Sequence, residues 1–391
     1  MQDDSRSPLV SERRFRVNGG SKRPNTDSEI LASQHFGDYE MRKTQMALAA
    51  VALVASTAAL ADGVKISGTL EGAVANTTNN GTHFSGAGGW VAGNNIRFSG
   101  DQDLGGGMKA VFGLEAGTDL NGYSNNGGAT YGGLSGTSSR GAGLFSREAS
   151  VGIASDAIGT IKLGRQLSPA VLSYAANGTL GNGHFFVNRL AGVGQANYAQ
   201  PGTLAYEGFW VDNAVTYATP SIGGISASLM QQMKNGNTNG TVPAGAANDA
   251  YTALAVNGAL DAVNVSVSYE KRTNTMTNYG LNANTKLGAV SLAGSYHYYE
   301  PQTGTKVGSY SLEAGYNVTD PLMVMVQYAS GDQAVSRSLW ALSGKYSLSK
   351  TTFAYVSYLD ASKSVSSNFE TRNETFTASN RSTIVGIATS F

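Results

Sequence analysis

The feature that most constrains the fold of this chain is an alternation of apolar and polar residues with period two, which continues from residue 64 to the end. VNVSVSYEK, at 263–271, sets three valines and a tyrosine at alternate positions, with Asn, Ser and Glu between them. LMVMVQY at 322–328 and NNIRFSG at 94–100 follow the same rule. Because successive side chains of a strand point to opposite faces, the pattern predicts a sheet with one apolar and one polar face.

The alternating segments form an ordered series of sixteen predicted strands. We place them near 64–76, 94–103, 108–118, 146–155, 159–168, 212–219, 224–233, 250–258, 263–271, 278–287, 289–300, 307–318, 322–330, 337–347, 352–360 and 382–391. Tight turns such as DAIG and TDPL alternate with longer polar links. An even strand number with short turns at one end and long loops at the other is typical of an outer-membrane barrel. The sequence therefore predicts an all-β fold, a 16-stranded antiparallel transmembrane β-barrel.

A soluble β-sandwich or propeller is the alternative explanation of the alternation. A propeller would repeat every 40–50 residues or so, and no such repeat is recognisable. Charged residues make up only 14% of the chain, against about 25% in soluble domains. Aromatic residues at the ends of apolar faces suit the interfacial girdles of a membrane barrel. The tyrosines in question are Tyr269, Tyr296, Tyr298, Tyr316, Tyr328 and Tyr346.

A candidate export signal, MRKTQMALAAVALVASTAALADG, occupies residues 41–63. Arg42 and Lys43 precede an uncharged stretch over 46–60, which is shorter than the roughly 20 apolar residues of a spanning helix. The Ala-Leu-Ala end supplies the small residues of a cleavage site. We expect a signal peptide over 41–61, cut between Ala61 and Asp62, followed by the barrel at 62–391. The alternative, an apolar core helix, lacks the polar face expected of one.

The segment before that signal, residues 1–40, mixes Arg and Lys with Asp, Ser and Asn without periodicity, a composition typical of disorder. Signal peptides work from the N-terminus, so we expect Met41 to be the true start and 1–40 an over-extended reading frame. Without residues 1–61 the chain holds 19 basic residues (27 minus 8) and 20 acidic ones (27 minus 7). This balance predicts no nucleic-acid-binding surface, and the absence of cysteine excludes thiolate chemistry and zinc-thiolate sites.

The segment SREASVGIASDAIGTIKLGRQLSP, at 146–169, resembles the general porins of Gram-negative β-proteobacteria, of the Neisseria and Burkholderia type. DLGGGMKAVFGLEAG, VTYATPSIGGISASL and the final TIVGIATSF are similar to the same family. The resemblance covers 62–391 and implies a homotrimer in the outer membrane, in contact with its lipid and lipopolysaccharide. It further implies one water-filled pore per protomer, through which ions and small hydrophilic solutes diffuse passively, with no cofactor. Phe391 resembles the C-terminal aromatic residue that the barrel-assembly machinery recognises in these proteins.

The longest stretch without a predicted strand is 169–211, and a link of that length is usually functional or disordered. The resemblance implies that it folds into the barrel as a constriction loop; a mobile surface loop is the alternative. Wall cations facing loop acids would then set selectivity through a transverse field. The loop holds only two charged residues, Arg189 and Glu207, so we expect a weak or mildly anion-favouring field.

Four wall cations are candidates for the pore lining: Arg97, Arg147, Lys162 and Arg165. Arg97 is the best supported, because the apolar Ile96 and Phe98 flank it with opposite parity. Arg165 shares parity with Ile161 and Leu163, so it could instead lie at a strand end outside the lipid. For each of the four, a solvated surface charge is the alternative.

Two other classes of function stay open. A hydrolase is conceivable because His297 shares the polar parity of Ser291 and Ser295, but the nucleophile motif G-x-S-x-G is missing. A structural or adhesive barrel would need bulky, mutually paired charges in its lumen, whereas the polar faces here are mostly Ser, Thr, Asn and Gly, which are small for a barrel of this size. We therefore expect a channel rather than an enzyme.

Overall fold

The alternating strands build a wall that closes on itself. The computed structural model describes residues 64–78, 81–85, 91, 93–118, 120, 130–131, 134–135, 145, 147–178, 210–233, 250–273, 276–302, 306–331, 337–362 and 380–391. All of them belong to one unit, Ala61–Phe391. Within these residues, no helix is both long enough and apolar enough to cross a membrane.

Nineteen strands and one helix fall within the described residues. They are β1 (Lys65–Thr77), β2 (Gly81–Ser85), β3 (Asn95–Gly105), β4 (Met108–Thr118), β5 (Thr130–Tyr131), β6 (Leu134–Ser135), β7 (Glu148–Ser155), β8 (Gly159–Leu167), α1 (Pro169–Ala176), β9 (Trp210–Ala218), β10 (Ile225–Gln232), β11 (Tyr251–Leu260), β12 (Val263–Arg272), β13 (Met276–Leu287), β14 (Val290–Pro301), β15 (Val307–Asn317), β16 (Leu322–Gly331), β17 (Arg337–Ser347), β18 (Thr352–Ser362) and β19 (Asn380–Ser390).

Sixteen of these strands, all except the short β2, β5 and β6, form the barrel wall, which confirms the predicted strand series. Each wall strand pairs antiparallel with the next, and β19 pairs with β1 from Thr69↔Ser390 to Thr77↔Ser382. This last pairing removes the open sheet edges, so the backbone groups of the wall are satisfied within the sheet. The three short strands were not predicted, because segments of two to five residues are too short to show a period.

The connections that follow β3, β7, β9, β11, β13, β15 and β17 are turns of two to six residues at one end of the barrel, which we call the turn end; the other is the loop end. The β3–β4 turn has three consecutive residues with positive φ: Gly105, Gly106 and Gly107, at 79°, 62° and 75°. Residues that carry a side chain rarely adopt this left-handed backbone conformation, so the three glycines are required there.

Burial in the wall is inverted relative to a soluble sheet. On β12, Ser266 is 1% exposed and Glu270 is fully buried, whereas Val267 on the opposite face is 48% exposed. Outward apolar residues and inward polar residues are the arrangement that a lipid-embedded barrel requires.

Outward aromatic residues form two belts on this apolar surface. Tyr310 and Tyr328 lie near the loop end with ring centroids 6.0 Å apart, and Tyr316 and Tyr346 lie near the turn end. Tyr310 and Tyr316 are six residues apart on β15, which corresponds to about 20 Å of strand. Outward aromatic residues near both ends of the strands are the placement expected of the interfacial girdles predicted from the sequence.

Candidate functional site

Helix α1 lies inside the barrel, which confirms an inward-folded loop for its first residues. The chain leaves β8 at the loop end, and Ser168 caps the helix by accepting a hydrogen bond from the Ala170 amide through Oγ (3.2 Å). The hydroxyl of Tyr251 donates to Glu270 Oε2 (2.8 Å), so Ser168 Oγ donates to Tyr251 (2.7 Å). The start of the helix is therefore hydrogen-bonded to the lumen face of β11 and β12.

The far end of α1 is held by a second set of amides. Asn177 Nδ2 donates to Ser266 Oγ (3.0 Å), and Asn282 Nδ2 donates to the same oxygen (3.1 Å). Asn284 Nδ2 donates to the Ala176 carbonyl oxygen at the helix C-terminus (3.2 Å). The bond from Asn284 satisfies one of the terminal carbonyl groups that a helix leaves unpaired, and together the bonds hold the end of α1 against the lumen face of β12 and β13.

Tyr174 extends the contact further round the wall. Its ring meets that of His297 edge-on, with centroids 5.3 Å apart, and His297 Nε2 lies 3.2 Å from Asn282 Oδ1. Burial, together with the nearby Glu313 carboxylate, raises the pKa of the Tyr174 hydroxyl. Tyr174 therefore stays neutral and acts as a packing and hydrogen-bonding group. His297 is part of the lumen surface on which α1 packs.

A charged cluster occupies the wall near the loop end, on β3, β4, β7 and β8. Glu115 and Glu148 are directly paired across β4 and β7, and like charges in that relation destabilise a sheet. Arg97 offsets the repulsion by reaching both carboxylates, with Nη2 2.7 Å from Glu148 Oε2 and Nη1 3.8 Å from Glu115 Oε2. Arg147 Nη1 lies 3.2 Å from Glu115 Oε1, and Lys162 Nζ lies 3.1 Å from Glu148 Oε1. The structure thus brings three of the four predicted wall cations together.

The cations of this cluster cover its carboxylates. The side chains of Arg97, Lys162 and Arg147 are 34%, 32% and 22% exposed, whereas those of Glu115 and Glu148 are only 9% and 8% exposed. A passing ion therefore meets guanidinium and ammonium groups first. Three cations against two carboxylates leave the cluster with one net positive charge.

Glycines on neighbouring strands make room for these side chains. A Cβ on Gly113 would lie 2.5 Å from Glu148 Oε1, and one on Gly117 would lie 3.2 Å from Arg147 Nε. The Gly113 position must therefore stay without a side chain if Glu148 is to lie flat against the wall.

Arg165 lies apart from the cluster. Its Nη1 is 2.7 Å from Asp212 Oδ1, at a bulge where the β8–β9 register shifts between Gly164 and Gln166. It shares parity with the exposed Leu163, as the sequence indicated, and Gln166 is the buried neighbour. Arg189, Glu207, Ala61 and Asp62 lie outside the described residues.

The C-terminal residue seals the barrel at the turn end. Phe391 and Gly68 exchange two backbone hydrogen bonds of 3.1 Å, and the Phe391 ring covers Gly68, where a Cβ would lie 2.7 Å from the ring. The terminal aromatic side chain is thereby held at the seam between β1 and β19.

Two functional-site residues were missed by sequence reasoning. Glu148 has the parity of the inward Ser150, which could have identified it, but only tertiary pairing shows that it holds Arg97 and Lys162. Glu71 is the second: its buried carboxylate accepts hydrogen bonds from the Tyr355 hydroxyl and the Val91 amide, which draws Val91 onto the inner wall. No local pattern in the sequence signals that contact.

The comparisons with known proteins agree with this geometry. A family model described as Gram-negative porin matches residues 47–364. An outer membrane porin protein of Bordetella pertussis is 33% identical over 130 residues, which is 33% of this chain; the chain spans only 28% of that relative's length.

Solved structures share the fold at lower identity. An anion-selective porin from Comamonas acidovorans superposes with a TM-score of 0.65 at 22% identity, covering 84% of this chain and 99% of that one. OmpT of Vibrio cholerae, an outer membrane protein in its trimer form, gives a TM-score of 0.57 at 11% identity, covering 84% and 99% of the two chains.

Proposed function

The chain belongs to the Gram-negative porin family, and on that premise we propose that it forms an outer-membrane channel for the passive diffusion of ions and small hydrophilic solutes. The observation that carries this function is the closed wall with an apolar exterior and a polar interior, into which α1 folds. A helix hydrogen-bonded to the lumen face of β11, β12 and β13 occupies part of the lumen and so narrows the route without requiring any covalent chemistry.

The channel favours anions weakly. The cluster of Arg97, Arg147, Lys162, Glu115 and Glu148 has a net charge of +1, and its cations are the accessible members. A narrow, low-dielectric passage focuses the field of such a cluster on a passing ion. The Comamonas neighbour is described as anion-selective, and the cluster supplies a physical basis for the same preference here. Arg165 takes no part in this field, since Asp212 balances it on the other face.

Reversal potentials in planar bilayers test this proposal. In a planar bilayer, the current through the purified protein should rise in discrete steps as channels open. Under a KCl gradient, the reversal potential should have the sign expected for a chloride-selective channel, with a modest chloride-to-potassium permeability ratio. A strong preference for potassium would contradict the anion-favouring field. Absence of openings from folded protein would favour the structural or adhesive barrel instead.

The assembly and export of the channel are further parts of the proposal. The protomer forms a homotrimer, in line with the trimer form of the Vibrio neighbour, with its outer surface in contact with lipid and lipopolysaccharide. Residues 41–61 act as a signal peptide removed before Asp62, and Phe391 is the residue that the assembly machinery recognises. N-terminal sequencing of protein from isolated outer membranes should begin at Asp62; a mature chain that retains residues before it would contradict the cleavage site.

A further inference from the structure

A second cationic position lies on the inner wall at the turn end. It is away from the charged cluster of Arg97, Arg147, Lys162, Glu115 and Glu148 near the loop end, which we call the constriction cluster. Lys345 is near the end of β17, and the register pairs it with Met323 on β16 and with Tyr355 on β18. All three residues have the parity of the inward, buried Ala341 and Ser343. Lys345 is therefore flanked on both sides by large apolar or aromatic side chains that face the lumen.

Lys345 differs from the constriction cations in its partners. Its Nζ lies over the ring of Phe353, 4.7 Å from the centroid, which is within the range of a cation–π contact. Over the described part of the chain, no carboxylate lies within ion-pair distance of it. Lys345 and Phe353 are both partly exposed, so a solute in the lumen can reach them.

Large apolar and aromatic side chains lie along the inner wall beside Lys345. Tyr355 lies over Gly386, where a Cβ would be 2.5 Å from the tyrosine ring, and Met323 lies over Gly315, where a Cβ would be 2.2 Å from the methionine methyl carbon. Met323 and Phe353 pack on a buried apolar cluster of the wall that includes Tyr355. The glycines therefore let Tyr355 and Met323 lie along the wall; Tyr355 is buried beneath the surface, and Met323 and Phe353 are the members that stay partly exposed.

From this arrangement we propose that Lys345, Phe353 and Met323 form a binding site for small carboxylates that carry an aromatic ring. The ammonium group pairs with the carboxylate, and the aromatic body packs on the ring of Phe353 and the thioether of Met323, contacts that are favourable for both groups. The inference rests on the proposed channel function. A solute that passes the constriction cluster at the loop end meets this site before it leaves at the turn end.

Block of single-channel current tests the site, with sodium benzoate as the aromatic probe and sodium acetate as its control. Benzoate on the turn-end side should reduce the KCl current of the wild type at lower concentrations than acetate. Lys345→Gln should raise the half-blocking benzoate concentration by roughly five- to tenfold, the range of one partly desolvated charge-assisted contact. Phe353→Leu keeps an apolar side chain but removes the aromatic ring, so it should weaken block by benzoate while leaving block by acetate unchanged.

Lys286→Gln is the matched control, because Lys286 lies near the turn end of β13 with the inward parity of Asn282 and has no aromatic neighbour across its pairs with β14. That variant should leave block by benzoate as in the wild type. Equal block by benzoate and acetate in a wild-type channel that conducts KCl would overturn the site alone. Equal effects of Lys345→Gln and Lys286→Gln on block by benzoate would likewise overturn the site alone. Lack of KCl conductance in the wild type would instead overturn the proposed function.

Discussion

Glu148→Gln changes the charge of the cluster formed by Arg97, Arg147, Lys162, Glu115 and Glu148 while preserving its shape. Glu148 accepts hydrogen bonds from Ser150 Oγ (2.6 Å) and Lys162 Nζ (3.1 Å), and it lies against the bare Cα of Gly113, so an isosteric amide fits the same space. Removal of one carboxylate takes the cluster from one net positive charge to two. We expect the channel to become more anion-selective.

The magnitude follows from Coulomb's law. A unit charge 4 Å from an ion is worth about 1 kcal/mol in water, which corresponds to about a fivefold change in local concentration, since 1.4 kcal/mol is about tenfold. A mobile ion samples longer distances, and salt screens part of the field. We therefore expect the chloride-to-potassium permeability ratio to rise about two- to fivefold.

The assay is the reversal potential of the purified channel under a KCl gradient, compared with Glu300→Gln. Glu300 pairs with Lys306 (2.7 Å) on the outward parity of β14, so the same charge change there lies outside the lumen. Arg97→Gln should move the potential the opposite way. An unchanged potential in Glu148→Gln, or an equal change in Glu300→Gln, would refute the argument that this cluster sets selectivity.

Three further perturbations test the wall, the helix and the chain end. Gly68→Ala should lower the folded fraction, because the new Cβ would lie 2.5 Å from the Asn95 carbonyl oxygen. Gly72→Ala is the control and should be tolerated, because the atoms nearest to its Cβ would lie 3.6 Å away. The folded fraction of both variants is measured by heat-modifiable mobility in gels. Asn177→Ala removes the buried hydrogen bond from the end of α1 to Ser266 Oγ, which costs about 1 kcal/mol. Open-channel noise should therefore increase, whereas Asn76→Ala, which removes an exposed hydrogen bond to Thr82, should not change it. Phe391→Ala should slow assembly in cells, measured by pulse-chase; assembly at the wild-type rate would contradict its role as a recognition residue.

How far the site could be predicted differs from residue to residue. Arg97 was identified because Ile96 and Phe98 flank it, so a purely local pattern places it on the inner face. Arg165 has an equally local pattern, but whether it faces the pore depended on the bulge at Gly164 and on the Asp212 opposite. Glu148 was missed because its importance lies in cations from two other strands, and strand pairing across a long loop leaves no periodic trace in the sequence.

The sequence by itself determined the number of wall strands, their order and which face of each is apolar. It could do so because strand period, turn length and lipid exposure are local properties that every wall strand repeats. Only the tertiary structure decided how the strands register around the closed barrel. That register places Arg97 between Glu115 and Glu148, seats α1 against Ser266 and Asn284, and sets Lys345 beside Phe353. Such contacts join residues that are far apart in the chain, and their energies depend on distances that exist only once the barrel has closed.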